Sequence, residues 1–249
     1  MRMLHEAKML AKNYRGEIIP IAMGIIFVPI MLLNFLFFFI LYRDSHTIFI
    51  IFLLPIVIMS FAGLIDDIIG NKNVSGLRGH FNSFFKGKLT SGILKAFIGV
   101  VTALIISLFL FDSLTEFLLD TLIMVLFTNL LNLFDLRPGR AIKIYLFLGI
   151  IFLLIGLAGF SQLILYSIIG FCIGYLPQDL RAKSMMGDTG SNALGMSLGI
   201  ISVINFSIIL KYLLLFILIL IHSITEKYSI SKIIENNTIL DYIDQLGRN

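Results

Sequence analysis

Stretches of about twenty apolar residues recur along most of this 249-residue chain, separated by short polar breaks. A helix needs ~20 such residues to cross the hydrocarbon core of a bilayer, and in lipid only helices and closed barrels satisfy every backbone N–H and C=O. With 58% hydrophobic residues, 14% charged and a mean hydropathy of +0.99, the chain carries more apolar side chain than a soluble core of this length could hide. The expected fold class is all-α: a polytopic transmembrane helical bundle of about eight spans, near residues 18–42, 47–66, 92–111, 114–133, 142–159, 162–177, 191–206 and 207–224. These form one integral membrane domain over 1–249, with no room for a second, soluble one.

An even number of spans places both termini on one side. Of the 19 Lys and Arg residues, all but Arg43 and Lys211 fall at the ends joined by the longer loops, so those ends and both termini are expected to be cytoplasmic. Residues 1–17 are basic and lack a continuous apolar run, which suits a cytoplasmic or interfacial segment rather than a secretory signal. Residues 68–91 form a basic cytoplasmic loop, and residues 225–249 a cytoplasmic tail. The basic residues are scattered between apolar segments rather than gathered in a stripe, so they read as topology and no nucleic-acid partner is expected. The single cysteine, Cys172, lies in an apolar run, which leaves no disulfide framework and no thiolate-rich metal site.

Three acidic motifs from distant parts of the chain fall at the basic ends of spans. In GLIDDIIG, Asp66 and Asp67 sit between apolar residues at the membrane interface, where adjacent acids are costly. They read either as a helix-end pair reaching for water or as a site for a divalent cation or for a proton from a phosphate-bearing substrate. In NLLNLFDLRPGR, Asn129, Asn132 and Asp135 are spaced i, i+3, i+6, on one slowly drifting helix face; Arg137 and Arg140 follow as phosphate partners. A structural polar network is the plainer reading of the same three groups. In MMGDTGSNALG, Gly187, Gly190 and Ser191 surround Asp188 at the start of a helix, where backbone N–H groups favour phosphate or a cation-bridged phosphate; a capping turn is the alternative.

The loop Asn71 to Thr90 interleaves Lys72, Arg78, His80, Lys86 and Lys88 with Phe81, Phe84 and Phe85. It reads as an interfacial segment that attracts anionic headgroups or a nucleotide diphosphate. His222 and Glu226 form an i, i+4 pair in IHSITEK, more simply a half-solvated helix end than a metal site.

The ordered set GxxDD, NxxNxxD and MGDTGS, with NYRGEIIPIAMGI ahead of it, resembles the polyprenyl-phosphate N-acetylhexosamine-1-phosphate transferases, the superfamily of the phospho-MurNAc-pentapeptide translocase, over roughly residues 13–225. The resemblance implies a Mg²⁺-dependent membrane enzyme that moves a sugar-1-phosphate from a UDP-sugar to an undecaprenyl-type polyprenyl phosphate, releasing UMP, for cell-envelope glycan synthesis. It implies that Asp66 and Asp67 orient or deprotonate the lipid phosphate, that Asp188 ligates the cation, and that Asp135 assists at the diphosphate and metal. Asn129 and Asn132 would fix substrate, with Lys86, Lys88, Arg137, Arg140, Gly190 and Ser191 as further contacts. Membrane lipid is an expected partner and a homodimer a candidate assembly. The chain departs from the family pattern in DLRPG, where a second Asp would stand at Pro138, in Gln178 where Asn is common, in Arg181 where Pro is common, and in lacking a His-rich loop. Against the usual ten spans it reads as a shortened, divergent member. Two competing readings are a catalytically silent relative that binds polyprenyl lipid or regulates envelope synthesis, and a small transporter relaying ions through intramembrane acids.

Overall fold

The computed structural model describes residues 2–41, 46–70 and 87–248. Its eight long helices correspond one to one with the eight apolar segments: α2 (Phe27–Leu41), α3 (His46–Ile69), α4 (Ser91–Phe109), α5 (Leu114–Phe134), α6 (Arg140–Ile155), α7 (Gly159–Leu180), α8 (Gly187–Asn205) and α9 (Ile208–Lys227). Ahead of them lie a short helix, α1 (Arg2–Glu6), and a two-stranded antiparallel hairpin, β1 (Leu10–Lys12) with β2 (Ile18–Pro20). Behind them come two short helices, α10 (Ile230–Glu235) and α11 (Thr238–Gln245). The first helical segment therefore starts later than residue 18: Ile18 to Pro20 pair with β1, and a 3₁₀ turn at Met23–Ile26 leads into α2.

Six segments, Met23–Leu41, Ile50–Ile69, Ser91–Phe109, Leu114–Phe134, Gly159–Leu180 and Ile208–Lys227, are each long and apolar enough to cross a membrane. The remaining two differ for physical reasons. α6 has 16 residues, short for a full crossing. α8 is rich in Gly, Ser and Asn, and every residue from Thr189 to Val203 is buried, so protein surrounds it on all sides. Small residues are what allow backbones to approach this closely. α8 packs most extensively against α3 and α5. A side chain at Gly63 of α3 would overlap the Asp188 backbone, and one at Gly195 of α8 would overlap the Phe127 carbonyl of α5.

Each end of the bundle is fastened by polar contacts. At the end with short connections, buried Lys211 of α9 pairs with Asp120 (2.9 Å) and Glu116 (3.4 Å) of α5. At the other end, the hairpin is sewn to the loop before α8: the Met185 N–H donates to the Pro20 carbonyl, and the Met23 and Gly24 N–H groups donate to the carbonyls of Met185 and Met186.

The close approach of α5 and α8 yields a direct test. Gly195→Val has no room against the Phe127 carbonyl and is expected to cost about 3 kcal/mol, read as a fall in thermal unfolding temperature in detergent. Unchanged stability would show that α8 does not lie this close to α5.

Candidate active site

The ends of α3, α4, α5, α7 and α8 meet on the side of the hairpin, and acids from four of them converge there. α8 carries the geometry. Its first N–H groups lack intrahelical partners, as at any helix N-terminus, and a carboxylate from α3 takes up two of them. The Asp188 N–H donates to Asp67 Oδ1 (3.0 Å) and the Thr189 N–H to Asp67 Oδ2 (3.0 Å), joined by the Thr189 hydroxyl (2.6 Å). The Gly187 N–H lies beside the Asp135 carboxyl group and favours its charged form. Gly187 itself has φ +73°, and a side chain there would run into the Asp67 carboxylate, so glycine is required on both counts.

Beside this cap lies an ion cluster. The Lys95 ammonium, in the second turn of α4, donates to Asp188 and pairs with Asp66 at 2.8 Å. Ser91 lies beside Asp66, and the Asp66 and Asp188 carboxyl groups face each other. In the amide orientation that satisfies both neighbours, Asn132 donates to Asp188 Oδ1 (2.8 Å) and accepts from Lys95 Nζ (3.1 Å). A short way off, buried Asp179 at the end of α7 accepts from the Gly139 N–H (2.7 Å), capping α6. A cavity of about 140 Å³ opens onto Asp67, Asp135, Asp179 and Asp188, with Tyr14 and Arg137 on its wall. Desolvation, with the neighbouring carboxylates of Asp179, Asp188 and Asp67, pushes the Asp135 carboxyl well above the usual carboxylate range.

Thus Asp66, Asp67, Asn132, Asp135 and Asp188 are brought together from three separated motifs. Asn129, half-buried one turn deeper in α5, is not among the residues lining the cavity. Several of the residues expected to contact substrate lie outside this cavity or are engaged elsewhere. The N–H groups of Asp188 and Thr189 are not open to phosphate, because Asp67 already occupies them. Gly190 and Ser191 are buried in helix packing, with Gly190 against Gly24, and do not reach the cavity. Arg140 is 3% exposed, its guanidinium is committed to Asp244 and Ser231, and it does not line the cavity. Arg137 does reach the cavity and lies over the Tyr14 ring. Lys88 is exposed ahead of α4, and Lys86 lies outside the described residues.

Lys95 and Asp179 were not singled out from the sequence. The signal was present for both: a lone lysine inside the apolar run SGILKAF, and an acid ending the run YLPQD. An ionisable residue within a span is a functional candidate by default.

Residues 48–206, well over half of the chain, match the family model described as Glycosyl transferase family 4. The chain belongs to that family. It is accordingly a member of the polyprenyl-phosphate sugar-1-phosphate transferase superfamily, a multi-pass membrane protein of sugar-phosphate transferase kind. No curated protein matches the sequence. The matched span contains every member of the acid cluster and Lys95, whereas the hairpin and the tail lie outside it.

What this family site can hold follows from its donors. All are hard oxygens, suited to Mg²⁺, and acids outnumber the single ammonium. Among the described residues no three Asp, Glu, His or Cys side chains are arranged as a protein-built metal cage. The arrangement fits an ion held by one or two carboxylates and completed by water and substrate phosphate, the usual mode for Mg²⁺.

The capping role of Asp67 separates it from its neighbour. Asp67→Ala removes the acceptor of three hydrogen bonds at the start of α8 and is expected to cost on the order of 2–3 kcal/mol, while Asp67→Asn, which keeps one oxygen, costs about half as much. Thermal unfolding of the two variants checks this; equal losses would contradict the cap.

Proposed function

We propose that this glycosyl transferase family 4 protein moves a sugar-1-phosphate from a UDP-activated amino sugar to a polyprenyl phosphate of the undecaprenyl type, at the cytoplasmic leaflet of the cell membrane, for cell-envelope glycan synthesis. The observation that carries the reading is the gathering of Asp66, Asn132 and Asp188 from three helices around Lys95, next to a cavity that Asp188 shares with Asp67 and Asp135, at the end of the bundle where the basic residues concentrate. The matching family supports the transfer chemistry, and the excess of Lys and Arg at that end supports the cytoplasmic orientation.

In the proposed reaction, an oxygen of the lipid phosphate attacks the sugar-bearing phosphorus of the donor. The new P–O bond gives the lipid-linked diphosphate sugar, and the bond to UMP breaks with the electron pair leaving on UMP. Such a transfer asks the protein mainly for placement and for neutralisation of charge. Lys95 supplies a cation between Asp66 and Asp188 and holds both carboxylates in place. Asp66, with one carboxylate edge on Lys95 and Ser91, orients the acceptor. Asn132 fixes Asp188, Asp135 stands at the donor diphosphate, and Arg137 reaches the same cavity from its rim. Asp67 acts as a positioning residue through the α8 N-terminus. Asp188, with Asp135 or Asp66, would hold Mg²⁺, which when bound supplies charge neutralisation at the diphosphate.

A second reading, a silent relative that binds polyprenyl lipid, is favoured by one observation: the Lys95 ammonium already lies between Asp66 and Asp188. Exchange of radiolabelled UMP into lipid-linked sugar by the purified protein decides between them. The transferase reading predicts Mg²⁺-dependent exchange with at least one UDP-amino sugar, reduced ~100-fold or more in Asp188→Asn while that variant still inserts and folds. No exchange with any donor, or full activity in Asp188→Asn, would overturn it.

A further inference from the structure

The tail after α9 lies outside the residues matched to the family, yet it is tied to the turn that carries Asp135. Its centre is Asp244 in α11, 7% exposed and bound by two guanidinium groups. Arg140, at the start of α6, donates to both carboxylate oxygens (2.8 and 2.7 Å), and so does Arg248 (2.9 and 2.7 Å). These bonds hold the Asp244 carboxyl down at about 2 against the burial that opposes ionisation. Arg248 then turns its Nε to the Pro138 carbonyl at 2.7 Å. Two further ties flank this one. Lys143 of α6 donates to the carbonyls of Ile243, Asp244 and Leu246 at the end of α11 (2.7 to 2.9 Å), and Arg137 pairs with Glu235 of α10 at 3.3 Å.

The residues gripped in this way, 137, 138 and 140, bracket the turn between α5 and α6. Asp135 enters that turn, and Gly139, held at φ +75°, leaves it with its N–H on Asp179. A five-residue connection fastened on both sides has little freedom, so the tail restrains the backbone that carries Asp135.

We propose that the Arg140–Asp244–Arg248 knot is a positioning device: the C-terminal tail clamps the Asp135 to Gly139 turn and thereby sets the donor side of the active site. For catalysis the inference rests on the transferase reading; for the placement of the turn it does not. Arg140 and Arg248 act through the turn and touch no reacting atom. Arg140 is buried and cannot be left unpaired without penalty, so Asp244→Asn risks the fold itself. Arg248→Gln is the cleaner variant, because it removes the link to Pro138 and leaves the Arg140–Asp244 pair intact.

The test uses the full-length protein in nanodiscs. Hydrogen–deuterium exchange of the peptide spanning 135–140 is expected to quicken about tenfold in Arg248→Gln, with the peptides of α3 and α8 unchanged, and to return toward wild type in Arg248→Lys. In the UMP exchange assay, kcat is expected to fall about tenfold or more with the KM for lipid acceptor nearly constant, since misplacement of a reacting group by a fraction of an ångström already costs this much. Unchanged exchange at 135–140 in both Arg248→Gln and Asp244→Asn would overturn the clamp. So would a uniform rise across the whole chain, which marks general loosening. If the wild type turns over no donor, the transferase reading fails and hydrogen exchange alone decides the clamp.

Discussion

The N-terminus of α8 is a helix end surrounded by protein, and its unpaired backbone N–H groups must find acceptors there or leave the fold strained by unsatisfied donors. Asp67 from α3 accepts two of them, and Asp135 at the end of α5 lies beside a third. Once those two carboxylates are fixed on one helix end, the rest of the site has little choice of position. Asp66 is the neighbour of Asp67, Asn132 lies one turn before Asp135, and Asp188 is the second residue of α8 itself. Lys95 is then placed among three groups that all need a cation or a donor. A structural need, capping a buried helix, and a chemical one, gathering negative charge around a phosphate-transfer centre, are met by adjacent residues.

The same pattern recurs at α6, whose start is capped by Asp179 of α7. Of the helix N-termini at this end of the bundle, those of α6 and α8 are each neutralised by a carboxylate from another helix. That leaves the carboxylates not engaged in capping, Asp66 and Asp188, as the pair bridged by the ammonium. It also explains why GDTGS does not present an open phosphate site: its anion is already provided by the chain. The small residues Gly24, Gly63, Gly187 and Gly195 are what bring the backbones close enough for such exchanges.

Much of this was legible in the sequence because lipid imposes strong rules. Apolar runs marked the eight long helices, six of them of membrane length, and the skew of Lys and Arg marked the end at which the motifs gather. Asp66, Asp67, Asn132, Asp135 and Asp188 stood out because polar groups beside long apolar runs are expensive. What was not legible depends on which donors meet which acceptors in space. Nothing in the string GDTGS says that its N–H groups are filled from residue 67, and nothing in RPGR says that Arg140 turns toward residue 244 instead of substrate. Lys95 was overlooked because a single lysine in SGILKAF reads as the edge of a span until the acids opposite it are known. The hairpin over residues 10–20 was hidden by its apolar strand, which continues the hydrophobic run of α2 without a break.

The central claim is that acids from separate helices share one water-accessible pocket at a single face of the membrane. Paired cysteines at positions 66 and 188 test it most directly, since the two native side chains meet one ammonium and the lone native cysteine, Cys172, is buried. In intact membranes, a short water-soluble bifunctional thiol reagent applied to the cytoplasmic side is predicted to join the two positions in high yield. Failure to cross-link, with each cysteine labelled from an opposite side of the bilayer, would contradict the account.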